Sequence, residues 1–121
     1  MTVGLAAPRF AGMKLDDAAA RLEALGNPTR LKIYRILVRA GEEGMAVGRL
    51  QERLEIAAST LSHHLKALVT VGLVAQTREG TTLVCHTNYE LMRSLINYMN
   101  EECCAEGTCP PSVAKVSKAA A

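Results

Sequence analysis

Residues 47–73, VGRLQERLEIAASTLSHHLKALVTVGL, decide the fold. Val47, Leu50, Leu54 and Ile56 recur at helical spacing and mark a short helix of about two turns. A break over residues 55–57 follows. Leu61, Leu65, Leu68 and Val69 then repeat at i, i+4, i+7 and i+8 until Gly72, a C-cap residue, ends a second helix. Two short helices joined by so brief a turn form a helix-turn-helix. The outward face of the second helix offers Ser59, Thr60, Ser62, His63 and Lys66, small or hydrogen-bonding side chains that can enter a major groove. No acid lies between Ala57 and Gln76.

Upstream, Leu15, Ala18, Ala19, Leu22 and Leu25 follow a 3.6-residue period that stops at Gly26, which predicts a first helix. Asn27-Pro28 reads as an N-cap with proline at the first helical position, and the apolar series from Leu31 to Val38 carries a second helix to about Ala40. Its polar face holds Arg30, Lys32, Arg35 and Arg39 without one acid, which suits a solvated face, phosphate contacts or salt bridges to a neighbour. Downstream, two β-prone runs, residues 74–77 and 81–87, flank Arg78-Glu79-Gly80 and predict a hairpin. A final helix begins at the cap Asn88, and Leu91, Met92, Leu95, Ile96 and Met99 cover more than one stripe of it. A terminal helix apolar on two sides needs two partners. The same helix of a second subunit, joined by the first helix, is the expected second partner, with Leu15, Leu22, Leu91, Leu95, Ile96 and Met99 at the interface.

The 121 residues amount to one domain, with 49 % hydrophobic and 21 % charged residues, so the chain is expected to fold. Only 3 % are aromatic, which argues against base-stacking platforms of the single-strand or RNA-binding kind. The net charge of +2 is unevenly spread: residues 27–80 hold eight bases against five acids, the footprint of a modest nucleic-acid site. No stretch approaches a membrane span and no leader pattern opens the chain, so a cytoplasmic protein is expected. Residues 1–13 and 105–121, with their glycines, prolines and small-residue tail, are expected to be disordered or flexible around a domain over 14–104.

Three stretches, LGNPTRL at 25–31, STLSHHLKAL at 59–68 and GLV at 72–74, resemble the ArsR/SmtB family of bacterial metal-responsive repressors. The resemblance covers about residues 14–104. It implies a mainly α, winged helix-turn-helix homodimer, about five helices and a two-stranded wing, that sits on an inverted-repeat operator in double-stranded DNA and leaves when an inducer binds; it does not imply an enzyme. Carried over residue by residue, its base-reading positions fall on Ser59, Ser62 and His63, with Thr60 and Lys66 beside them and Arg78 on the wing turn. The family often has serine then glutamine where this chain has Ala57-Ala58, a departure that removes a capping oxygen and an adenine contact. Of the adjacent histidines, His63 is placed to touch DNA and His64 to pack or hydrogen-bond internally.

The inducer sites that the resemblance implies can be checked against the ligands present. A Cys-x-Cys pair in the first helix of the helix-turn-helix is ruled out, because residues 47–56 contain no cysteine; a His-rich site on the final helix fails because that helix has no histidine. What remains is Cys103-Cys104-x4-Cys109 at the exit of the final helix. Three soft thiolates with no histidine nearby suit As(III), whose lone pair fills the fourth direction, and Sb(III). The same arrangement looks like the C-terminal arsenite site of one branch of the family. Two readings compete: a redox sensor in which Cys103 or Cys104 pairs with Cys109, disfavoured by the surrounding Glu101, Glu102 and Glu106, and incidental thiols in a frayed tail. A thiol enzyme or an arsenic-carrying chaperone lacks a partner base or catalytic cleft. Cys85, alone on a predicted strand, is assigned to packing.

Overall fold

The computed structural model describes residues 12–111. The expected behaviour of residues 1–11 and 112–121 lies outside the described residues. Among the described residues, five α-helices and a small antiparallel sheet follow one another as α1 (Leu15–Leu25), α2 (Pro28–Ala40), a 3-10 turn (Gly41–Glu43), β1 (Met45–Ala46), α3 (Val47–Leu54), α4 (Ala58–Thr70), β2 (Val74–Glu79), β3 (Thr82–Thr87) and α5 (Tyr89–Asn100). This is a winged helix-turn-helix.

Local signals set most of the boundaries. The Asn27 side chain accepts from the backbone N–H of Thr29 at 2.9 Å and of Arg30 at 3.1 Å, so the first turn of α2 loses two unpaired donors. Asn88 caps α5 in the same way, accepting from Leu91 N–H at 3.1 Å. At the end of α4, Gly72 takes φ +86°, Leu73 N–H donates to Leu68 C=O and Gly72 N–H to Val69 C=O. That pair of bonds is a Schellman cap, and it turns the chain directly into the wing. Glu55 ends α3 in the left-handed region with φ 56°, giving the sharp turn between the two helices of the motif.

The sheet has the order β1-β3-β2. The hairpin closes over Gly80 and Thr81, with Glu79 opposite Thr82 and Gly80 at φ +67°, a two-residue turn of the kind that matches strand twist. Arg78 therefore lies in the strand opposite Leu83, before the turn, and corrects the expectation that it sits on the turn itself. The third strand was not expected. β1 is two residues long and pairs Met45 with Cys85 and Ala46 with Val84. It enters the sheet through Gly44, at φ +71°, where a Cβ would run into the Cys85 carbonyl oxygen and stand 2.7 Å from His86 Nδ1.

One core ties helices to sheet: Ile33, Tyr34 and Leu37 of α2, Leu50 of α3, Leu61, Leu65 and Leu68 of α4, then Leu73, Val74 and Cys85. Each buried leucine contributes roughly 2 kcal/mol by leaving water, and the leucines of α4 fix which side of that helix faces out. Two arginines lock the helices further. Arg21 Nε donates to Val71 C=O at 3.0 Å, joining α1 to the end of α4, and Arg30 Nε donates to Ala24 C=O at 2.7 Å, closing the end of α1. Arg30 Nε is thus committed to the end of α1 instead of standing with Lys32, Arg35 and Arg39 on the polar face of α2.

Candidate nucleic-acid interface and thiol cluster

The register of Leu61, Leu65 and Leu68 leaves Ser59, Thr60, Ser62, His63 and Lys66 exposed along the outer side of α4. Arg78 is exposed on β2. Between α4 and the wing runs a cavity of about 380 Å³ lined by Ser62, Lys66, Thr70, Gln76 and Leu83 among others, so recognition helix and wing share one concave surface. Thr70 and Gln76 were missed in the sequence reading, because only the packing of β2 on α4 brings them beside Ser62 and Lys66. The start of α4 has Ala57 at its N-cap with no side-chain hydrogen bond, which leaves first-turn N–H groups free to meet an anion.

The two histidines differ in exposure. His63 is exposed; His64 is half-buried, its Nδ1 has no partner, and the rings meet edge-on at 5.6 Å. Burial, then the nearby Arg30, then His63 hold the His64 pKa below its usual value. The third histidine bridges elements. His86 Nε2 lies 3.1 Å from Thr77 Oγ1 and its Nδ1 lies 3.1 Å from the Glu42 carbonyl, an arrangement met by a proton on Nδ1.

The six residues expected at a subunit interface fall into two groups. Leu15, Leu22, Ile96 and Met99 are exposed, at 68, 41, 47 and 54 %. Leu95 is only 1 % exposed and is corrected: it belongs to its own chain's interior. Leu91 is partly buried against the same core. The helical period spreads residues 91, 95, 99, 92 and 96 in that order over one broad arc of α5, with Leu91, Met92 and Leu95 reaching the core and Ile96 and Met99 left exposed.

Beyond α5, turns place Cys103, Cys104 and Cys109 with their sulfurs all within 4.8 Å of one another. Cys103 Sγ lies 3.6 Å from Cys104 Sγ, and Cys104 is joined to Cys109 as a disulfide with a Cα–Cα distance of 5.3 Å. That bond departs from the expectation of three thiols. It forms because the turn at residues 104–107, closed by Gly107 N–H donating to Cys104 C=O, folds Cys109 back over Cys104. Glu102 and Cys104 both sit at φ 62°, a left-handed conformation that costs a non-glycine residue free energy. Cys85 is fully buried, and burial raises its thiol pKa despite the Gln76 Nε2 donor at 3.5 Å, so it is an inert packing residue.

These features together define a DNA-binding regulator of the winged helix-turn-helix class. A helix-turn-helix domain model matches residues 25–77. A transcriptional regulator of Methanocaldococcus jannaschii is 32 % identical over 88 residues, covering 73 % of this chain and 97 % of that protein. An arsenical resistance operon repressor of Staphylococcus xylosus is 30 % identical over 74 % of this chain and 79 % of its own length. A putative arsenical resistance operon repressor of Halobacterium salinarum is 41 % identical, over 57 % of this chain and 53 % of its own. Among solved structures, HlyU of Vibrio cholerae matches with a TM-score of 0.60 at 30 % identity, covering 76 % of this chain and 99 % of that one. A homodimeric winged helix-turn-helix domain of Mycobacterium bovis matches with a TM-score of 0.60 at 29 % identity, over 84 % and 92 %. The chain belongs to the ArsR family of winged-helix transcription regulators. No helix among the described residues is long and apolar enough to cross a membrane.

Proposed function

We propose that this chain is a homodimeric, cytoplasmic repressor that holds an inverted-repeat operator and releases it when As(III), or Sb(III), binds Cys103, Cys104 and Cys109. The convergence of three sulfurs to within 4.8 Å on one chain carries this reading. Sulfurs sharing one ion at ~2.3 Å stand ~3.5 to 4 Å apart; Cys103 Sγ already lies 3.6 Å from Cys104 Sγ, and reduction of the Cys104–Cys109 bond would let that pair separate to the same spacing. A cellular dithiol or glutathione-type thiol would first reduce the Cys104–Cys109 disulfide, itself becoming a disulfide. Arsenous acid would then react with the three thiols by condensation: three As–S bonds form, three As–O bonds break, and each thiol proton leaves with a hydroxide as water. The strained turn at Glu102 and Cys104 supports a site whose geometry is offset by a bound ion. The arsenical resistance repressors among the relatives support it too. Operator contacts are assigned to Ser59, Thr60, Ser62, His63, Lys66 and Arg78, and the subunit interface to Leu15, Leu22, Ile96 and Met99.

The Cys104–Cys109 disulfide favours a second reading, in which that pair gives two electrons and two protons to a cellular oxidant and the oxidised form lets go of DNA. Operator binding by the reduced protein, titrated with arsenite, antimonite, zinc and diamide, separates the two. The arsenite reading expects dissociation of the wild type by arsenite and none for Cys103→Ser. The redox reading expects diamide to dissociate both proteins, with arsenite inert. Full arsenite response in a chain truncated after Glu102 would exclude the three-sulfur site.

A further inference from the structure

The cations on the polar face of α2 do not merely dot a helix. Lys32, Arg35 and Arg39 line an open groove of about 430 Å³ together with Arg53 of α3 and the apolar Pro28, Leu31 and Ile36, and no carboxylate is among its lining residues. Leu31 is 45 % exposed in it. We propose that this groove is a docking surface for an acidic amphipathic helix of a partner protein.

Three observations select that occupant. The α2 contribution runs from Pro28 to Arg39, three turns or ~17 Å, so the groove is long enough to seat about three turns of a ligand helix. Four cations around an apolar strip ask for a ligand with both an apolar face and carboxylates, and a phosphate backbone offers only the charge. The face also points away from the operator side. Ile33, Tyr34 and Leu37, which pack with the α4 leucines, lie on the opposite side of α2 from residues 28, 31, 32, 35, 36 and 39, so a duplex on the outer face of α4 leaves the groove open. A partner could therefore sit on the regulator while DNA is bound, and the proposal is independent of what the cysteines sense.

The test uses the full-length chain and a fluorescein-labelled peptide of ~16 residues, with leucines at i, i+3, i+4 and i+7 and glutamates on its flanks. Saturable binding is expected, at least tenfold weaker for Arg35→Glu/Arg39→Glu, for Leu31→Ala, and for a peptide of the same composition in shuffled order, with DNA affinity unchanged within twofold for Arg35→Ala/Arg39→Ala. These side chains are exposed, so the fold survives their replacement. Absence of peptide binding, equal binding of the shuffled peptide, or binding that ignores the charge reversal overturns the proposal. So does a flatter salt dependence of DNA binding in Arg35→Ala/Arg39→Ala, which would make the groove a phosphate contact.

Discussion

Two polar side chains, one buried and one half-buried, yield predictions at the scale of single residues. The Tyr34 hydroxyl is buried without a hydrogen-bond partner, and its pKa is pushed up to about 12 by that burial and by nearby Tyr89. Removing an unpartnered buried hydroxyl removes a desolvation cost, so Tyr34→Phe is expected to keep stability or raise it by about 1 kcal/mol in urea unfolding. His64 behaves differently because it titrates in a working pH range. The unfolded chain takes up a proton near the ordinary value of 6.5, whereas the folded chain resists until its lowered pKa is reached. The stability tied to neutral His64 is therefore complete above about pH 6.5 and is lost as the pH falls from there through the folded pKa. Urea midpoints at pH 7.5 and 5.5 should differ more for the wild type than for His64→Gln; equal differences would remove His64 as the cause. His86 shows what composition hides: its two contacts reach Thr77 and Glu42, 44 residues away in the second case, and nothing near it in the chain announces them.

Among the elements, helices were legible wherever period and caps agreed. Asn27, Gly72 and Asn88 act as their residue types suggest, and the leucine repeat of residues 61–68 faces inward as read. β1 was not legible, since two residues cannot show a period and their pairing with Val84 and Cys85 depends on tertiary contact and on Gly44. The three cysteines could be picked out by ligand chemistry, but the pairing of Cys104 with Cys109 follows from a turn the spacing does not specify. The uncapped start of α4 is a local defect with a direct test. Ala57→Ser should supply the missing oxygen and stabilise the chain by about 1 kcal/mol. A second test concerns the exposed face of α4 against the wing. Ser62→Ala or His63→Ala is expected to reduce preference for operator over scrambled DNA by about 1 to 3 kcal/mol, measured by anisotropy. Arg78→Ala should instead weaken both sequences alike and flatten the salt slope by about one unit. Uniform losses for all three variants would contradict the division between reading and anchoring.

For the whole molecule, the distribution of apolar surface and sulfur sets how release could work. Ile96 and Met99 are exposed on α5, and that helix runs straight into the cysteine turn through Glu101, whose N–H donates to Asn97 C=O. A second copy covering residues 15, 22, 96 and 99 would bring two such turns to one interface. Met99→Glu, an exposed position, should then give a folded monomer in sedimentation, whereas Leu95→Glu would unfold the chain because Leu95 is core. All three sulfurs come from one chain, so arsenite should bind two per dimer with no subunit lending a ligand. An ion closing that turn would reset the end of α5 against its partner, and the two α4 helices must stay about one DNA turn apart to read a palindrome. Tenfold weaker operator binding needs only ~1.4 kcal/mol of such coupling, and linkage requires operator DNA to weaken arsenite binding by the same factor. Calorimetric titration of arsenite into the reduced protein, with and without operator, checks both numbers. One ion per dimer, or an arsenite affinity that operator leaves unchanged while arsenite still dissociates the complex, would break the thermodynamic cycle this mechanism depends on.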